Sequence, residues 1–579
     1  MDNMPAKFNW ERAVKPDVNY SAFNMSYDKK LTCNSGELIP VYEQEVYPGD
    51  MMQYKNAFLI KSLPLVTPIM SDYYIYVHYW FTPYSLIQSH ETIEKGLDVN
   101  TFEDYINATH ESDTIPLIWE IDSTNDKWTF KLEDEETSET TTGNFAYVKV
   151  PVAGSHFGLL DYLCLNPREK TSSNTYTKNA ATAEGANFIT QFAVRAYNAT
   201  YNTKYRNEDV QDTSYSGIDG STFARTDGVT VGISLLNSNI LRRNWERDYF
   251  TSELPWQQKG TPIALPVTSA LVDTHVWWSK HGEGTGWVSG NNTLNPARIY
   301  GNDSGGSDTD NYLVVQPGIT STAFDINDLR ETNAIQRFLE ANARGGTKYH
   351  EFCKAHFGIA PADETIREPR YLGGSKTPLI ISEVTQTSSS TLSSSTPQGT
   401  LTGKAAAADS QYIFQERFKE HGIVMGIMSI MPKPVYANGI NRMWFKSDFF
   451  DWYSPEFANL GEQAVITQEA NASTGLPSTS ETIIGYLGRW SEMRARDNCV
   501  TSGFRISTAG SSGYYGGMAD WTIQKDGFTL NSANLVCHPD EPFWAFPKAN
   551  GNKNFICDFG NIVKMIRPLP YEPEPMLRA

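Results

Sequence analysis

Apolar residues cluster in strand-like patterns near both ends of the chain and take a helical period in its middle. Glu37-Leu38-Ile39-Pro40-Val41-Tyr42 leads into Tyr47-Pro48-Gly49-Asp50, a turn in which Pro presets φ and Gly accepts a positive one. Tyr73 to Phe81 is an unbroken run of aromatic and β-branched residues between Pro68 and Pro83. A strand without alternation must be covered on both faces. One cover can come from the same subunit and the other from a neighbouring copy. Strand character returns at Ile423–Met431 and at Asn554–Met565.

Between these ends the period changes. Ile189, Ala193, Tyr197, Tyr201 and Tyr205 recur every fourth position, which predicts an amphipathic helix over Phe188–Tyr205. A second helix is expected from a cap at Asp325 or Asp328 to Gly345-Gly346. Its stripe is imperfect, since Ile335, Phe338 and Leu339 share a face that Ile326 and Leu329 do not. Contact on more than one side, or a later start, would explain that. Residues 133–143 are acidic and Thr-rich, a solvated hairpin tip or loop. Residues 270–320, rich in Gly, Asn, Ser and Asp, are too long for an ordinary connection. Residues 387–402 form a Ser/Thr-rich loop that cannot build a core. No internal repeat is evident. The pattern is best met by one sheet domain spanning 1–579, made from both chain ends, with the middle inserted between strands.

The chain of 579 residues is rich in aromatics, with 30 Tyr, 28 Phe and 14 Trp. Large amphipathic rings suit strands and subunit interfaces. A formal charge of −19 argues against a protein whose net field gathers nucleic acid. It permits a shell around DNA if acid faces outward and something basic lies within. The six cysteines are scattered without a C-x-x-C pair, as expected for assembly in a reducing cytoplasm. The opening residues lack the apolar run of a secretory signal, and Ile423–Met431 is too short to span a bilayer, so no membrane role is expected.

Candidate chemistry is sparse. His350, Cys353 and His356 are the densest possible metal cluster, but the third position lies roughly 120° from the first on a helix and no fourth ligand follows. They are read as helix surface. The glycines of residues 282–286 precede Trp287-Val288 rather than a helix, and no Walker, nucleophile-elbow or H-E-x-x-H pattern occurs. No catalytic residue, metal or cofactor is assigned. Three basic clusters, Lys204/Arg206, Arg242/Arg243/Arg247 and Arg489/Arg494/Arg496, are candidates to meet phosphates, weighed against salt bridges to the abundant carboxylates. The first two are carried as DNA-contact candidates. Tyr73, Tyr79, Trp80, Phe81, Trp256 and Trp444 are the candidate subunit-interface rings.

Longer blocks carry a family resemblance. Residues 34–87 (NSGELIPVYEQEVYPGD through YYIYVHYWFTPYSLI) are similar to the opening of gokushovirus major capsid proteins, in the microvirus family. GSHFGLLDYLCLNP (154–167), VRAYNATYNTKYRNED (194–209) and RRNWERDYFTSELPWQQKG (242–260) follow in the family's order. The strongest block, 329–388, includes ARGGTKYHEF, HFGIAPADE and PRYLGG. Residues 418–465 and the closing DFGNIVKMIRPLP (558–570) complete a collinear set. GRWSEMRARDN after Tyr486 departs from the family pattern, and residues 100–150 and 270–320 match nothing in it.

The resemblance implies a mainly β fold: an eight-stranded antiparallel jelly-roll sandwich with long inter-strand insertions containing helices and loops. It implies about sixty copies, grouped as pentamers, closing a T=1 icosahedral capsid around circular single-stranded DNA in a phage virion. Segment 270–320 takes the place of the family's variable threefold protrusion, where contact with a bacterial host receptor is expected. The acidic charge predicts a small basic DNA-binding protein inside the shell, and the family has one. A carbohydrate-binding or carbohydrate-active β-sandwich is the rival class, as is a phage spike or fibre. The first is usually secreted, and neither explains collinear blocks at both termini.

Overall fold

The computed structural model describes residues 19–65, 72–87, 159–164, 192–214, 240–260, 326–346, 348–359, 368–385, 401–436, 438–458, 461–472, 483–502, 530–537 and 553–571, together with short paired strands at 119–122, 127–133, 140–144, 148–149, 175–176, 225–226, 229–230, 276–279 and 312–315. The chain divides into two compact units, residues 1–257 with 360–579, and residues 258–359. The expectation of one domain with an insertion at 270–320 therefore becomes a first unit built from both chain ends and a second, wider unit that contains that segment.

Nine strands form the frame of the first unit: β1 (Ser21–Asn24), β2 (Tyr27–Cys33), β3 (Ile39–Val46), β4 (Met51–Ser62), β5 (Tyr73–Pro83), β6 (Arg370–Thr385), β7 (Leu401–Arg417), β8 (Gly422–Pro432) and β9 (Phe555–Arg567). Their order is β1-β9-β4-β7-β6-β5-β8-β3, and β2 also pairs with β9. Because β1 and β2 are successive pieces along one edge of β9, nine strands fill eight positions. All neighbours are antiparallel.

The sheet folds into two layers because β6 and β7 change partners midway. β6 pairs with β5 from Arg370 to Leu379 and with β7 from Ile380 onward. The first layer is β2/β1-β9-β4-β7 and the second β6-β5-β8-β3. Within the second layer β6 and β5 come close: a Cβ on Gly374 would lie 2.6 Å from the Val77 carbonyl oxygen, so only glycine fits there. The far edges meet through side chains. Lys29 on β2 pairs with Glu43 on β3 at 2.7 Å, and Asn561 on β9 donates to the Val41 carbonyl at 3.3 Å.

Between the layers lie the rings of Tyr42, Tyr54, Tyr79 and Phe414, with Phe58 stacked on Phe559. Tyr54 and Tyr79 join hydroxyls at 3.1 Å, and Tyr54 donates to Asn561 at 2.5 Å, so the buried phenols are satisfied. Strands β4 and β9 alternate buried and exposed, which leaves one face of the first layer in solvent. The second layer is covered on both sides. Along β8 every residue is buried. The expected second cover for Tyr73–Phe81 is the same chain: helix α1 (Phe192–Thr200) and the π-helical turn Tyr201–Tyr205 pack Tyr197 and Tyr205 with Trp80, Ile423 and Met425. A neighbouring copy is not needed there.

Hairpins appear where polar tracts were read. Lys127–Glu133 pairs with Thr140–Asn144, Glu133 opposite Thr140, and Thr385 on β6 stands opposite Leu401 on β7. Residues 134–139 and 386–400 lie outside the described residues, as do Phe188–Gln191 and Asp325.

The second unit contains helices α2 (Ile326–Gly345) and α3 (Tyr349–Phe357). Phe338 meets Phe352 and His356 at ring separations of 6.2 and 4.8 Å. Gly346 holds φ at +98° in the bend between them. Leu329, Ile335 and Phe338 all remain largely exposed, which accounts for the imperfect stripe. Val276–Ser279 pairs with Tyr312–Val315, and the segment between these strands lies outside the described residues.

Candidate functional site

Two features of the first unit gather the sequence-predicted residues. The first is a cleft of about 420 Å³ on the outer side of the second layer, lined by His78 and Trp80 of β5, Lys204 to Asn207, Arg243 to Arg247, and Tyr371 of β6. The π-helical turn places Tyr205 at its floor, where Trp80 Nε1 donates to the Tyr205 hydroxyl at 3.2 Å and His78 Nδ1 lies 2.9 Å from it. Burial, with Arg243 close by, lowers the His78 pKa to about 4, so the ring is neutral at neutral pH. The neutral ring and the Tyr205 hydroxyl, with its own proton, then share an uncharged hydrogen bond. Burial raises the Tyr205 phenol to about 12, so it keeps that proton.

The cleft unites four of the five DNA-contact candidates, Lys204, Arg206, Arg243 and Arg247. Most of their charge is already engaged. Lys204 pairs with Glu368 at 2.6 Å; Arg206 donates to the Gln211 carbonyl at 2.7 Å and approaches Glu208 at 4.0 Å. Arg243 donates to Ser429 at 3.0 Å and lies 4.2 Å from the Tyr76 ring centre. Lys204 and Arg243 thus tie their segments to the chain at β6 and β8, whereas Arg206 braces its own segment internally. Arg247 is exposed. Arg242 stands apart, its backbone bridged to Glu37. In the third cluster, Arg489 lies 4.8 Å from the Trp490 ring centre, and Arg494 and Arg496 are exposed.

The second feature is a ridge of exposed aromatics on three short 3₁₀ turns, Arg442–Trp444, Phe449–Asp451 and Pro455–Phe457. Trp444 is 72 % exposed and Phe449 76 %, with Phe450, Trp452 and Tyr453 beside them. The ridge is held by caps. Asn441 accepts from the Met443 N–H at 3.0 Å, and the Asp451 carboxylate accepts from the Ser447 and Asp448 N–H groups at 2.9 Å each. Those two amides hold the Asp451 carboxyl below its usual range. Arg442 anchors the base, donating to Glu469 at 2.7 Å and to the Ala464 carbonyl at 2.6 Å.

The interface candidates separate accordingly. Tyr73 and Tyr79 are 2 % and 0 % exposed, with Trp80 and Phe81 also buried, so these four rings serve the subunit's own core. Their hydrophobic run was the signal, and it reports burial without naming the partner. Trp256 is half-buried and Trp444 lies on the ridge. Phe449, Phe450, Trp452 and Tyr453 were missed. Their signal is aromatic density without strand or helix period, among capping Ser and Asp. Of the trio read as helix surface rather than a metal site, His356 meets Asn342 at 2.7 Å and packs on Phe352, Cys353 is half-buried, and the His350 side chain lies outside the described residues.

Comparisons with known proteins agree with this architecture. A family model described as "Capsid protein (F protein)" matches residues 13–114 and 169–577. The chain is 26 % identical to Capsid protein VP1 of Chlamydia phage 1, over 97 % of this chain and 96 % of that protein. It is 27 % identical to Capsid protein VP1 of Bdellovibrio phage phiMH2K, over 85 % and 83 %, and 25 % identical to that of Spiroplasma virus 4, over 83 % and 82 %. The gokushovirus resemblance is thereby borne out. A carbohydrate-active sandwich is left without support, and the role is structural rather than enzymatic. Matched from its first described strand to its last, the chain belongs to the phage capsid protein (F protein) family.

Proposed function

We propose that this coat protein closes a T=1 icosahedral shell of about sixty copies around circular single-stranded DNA, and that the ridge at 440–457 supplies a contact between copies. The observation that carries the reading is the ridge itself. Several large rings stand in water on turns whose backbone is fixed by side-chain caps. Exposed aromatics on a rigid support have little conformational entropy to lose and are the residues that dominate desolvated interface cores. Assembly takes place in the host cytoplasm in this reading, in keeping with cysteines that form no disulfide among the described residues.

The charge of −19 supports a small basic protein inside the shell as a further partner. The pairing of Val276–Ser279 with Tyr312–Val315 supports the segment between these strands, set apart as one insertion, as the contact with a bacterial surface receptor. The ridge is tested with Trp444→Ala/Phe449→Ala, followed by size-exclusion chromatography and negative-stain imaging. The expected outcome is a folded subunit, by circular dichroism, whose pentamers and closed shells are lost. Shells formed at the parent yield would remove the ridge from the interface.

A further inference from the structure

The exposed face of the first layer differs from the rest of this acidic chain. Read across the registers, β2, β9, β4 and β7 point Lys30, Lys564, Lys55, Lys61, Lys404 and Arg417 into solvent on that one face. Only Asp28 and Asp558 oppose them there, and Lys30 reaches Asp558 at 3.8 Å. The remaining outward positions are small or uncharged. Gly560, Ala57 and Ser410 form one low row across β9, β4 and β7, between the exposed side chains of Leu59 and Ile562, so an extended chain can approach the backbone along that row. Tyr412 stands opposite Lys55 with its ring in solvent, putting a stacking surface beside a cation.

We propose that this face is the wall against which single-stranded DNA lies, bound through its phosphates and, at Tyr412, by a base. Charge complementarity selects a polyanion, because a surface carrying six cations and two acids in a chain of net −19 is an asymmetry that solubility does not require. The ring beside Lys55 favours a single strand, whose bases are free to stack without sequence preference. The cleft lies beyond the other layer, on the opposite side of the sandwich, with its cations engaged by the chain's own acids and carbonyls. A wall formed by this layer therefore turns the cleft away from the DNA. This assignment rests on the capsid reading, since it supposes an enclosed polynucleotide.

The test measures binding of a fluorescent single-stranded oligonucleotide by purified protein over a range of salt, with shell formation followed separately by imaging. Lys55→Gln/Lys61→Gln/Lys564→Gln is expected to lower the salt slope of log K by about two, at roughly 0.7 per lost phosphate contact, with shells still forming. Tyr412→Ala is expected to weaken binding about tenfold without changing that slope. Lys55→Arg/Lys61→Arg/Lys564→Arg should retain parental affinity, which separates charge from misfolding. The charge-matched set Lys354→Gln/Lys376→Gln/Lys433→Gln, none of it on β2, β9, β4 or β7, should leave the slope as it was. The proposal is overturned if the Gln triple binds like the parent, or if the charge-matched set weakens binding equally. It is also overturned if the Gln triple loses assembly while keeping its affinity, because the face then meets the acidic surface of another copy. Failure of the parent itself to form shells would count against the capsid reading instead.

Discussion

Lys553, just before β9, reaches Glu37, just before β3, and the pair lies inside the subunit with each side chain 6 % exposed. Both carboxylate oxygens accept from the ammonium at 3.0 Å, and one also accepts from the Asn34 N–H at 2.8 Å. Removing one partner of such a pair strands the other charge in a medium that solvates it poorly. Lys553→Met is expected to cost about 3–5 kcal/mol in denaturant unfolding, with Glu37→Gln/Lys553→Met recovering most of it. Equal losses in the single and double variants would mean that the ion pair carries no coupling. Asp497 behaves oppositely. Burial and the nearby Asp248 raise its pKa to about 6. Its carboxyl is therefore favoured in the protonated form when folded. The contribution is fully present below the unfolded value near 3.8 and is lost as pH rises through about 6. Thermal unfolding from pH 4 to 7 should show the midpoint falling across that window, and Asp497→Asn should flatten the fall. None of these partners was legible in the sequence, where acids are too numerous to be matched with bases across more than two hundred residues.

Strands β5, β8 and β9 were legible because their side chains are apolar or alternate cleanly, and each extends the predicted limits by only a few residues. The long strands β6 and β7 were not. Gly373, Gly374 and Pro378 interrupt one, and the other places Ala405 and Ala407 inward against Ala406 and Ala408 outward, so the contrast that marks a strand is missing. Ala405 to Ala408 stand where β7 passes from β6 to β4, so the small residues that hid this strand lie where the sheet divides into layers. The period-four helix was read correctly in kind, but its last turn widens to a π-helix that sets Tyr205 under Trp80. Since Thr385 already faces Leu401, residues 387–399 can be removed without stretching the hairpin they connect. Their deletion should leave the far-ultraviolet dichroism and the unfolding midpoint within error of the parent, and insoluble protein would show that the tract is needed to fold.

For the molecule as a whole, the sandwich was legible from the chain and the site only in part. Family blocks at both ends follow the frame, whereas interface and DNA contacts depend on which rings and cations the chain consumes internally. Four of the six interface rings are consumed in that way, and so is the charge of Lys204, Arg206 and Arg243. The second unit supplies the remaining test. Ser279 and Tyr312 stand opposite each other in the stem of the proposed host-contacting loop. Replacing residues 280–311 by a two-residue turn should therefore preserve the stem. Particles from such a variant should image as normal shells and fail to adsorb to host cells, whereas adsorption at the parental rate would assign attachment elsewhere.

The pairing of β1 and β2 with β9 has a consequence during synthesis. Ser21 waits for Arg567, and Cys33 for its neighbour Cys557, 524 positions later. At the usual pace of a ribosome that interval is about 25–100 s. A prematurely terminated chain lacks the strand that joins the first layer to its edge, and so offers its siblings no finished surface. Completion of translation thereby acts as a checkpoint, admitting only whole subunits to a particle that a single defective copy would breach.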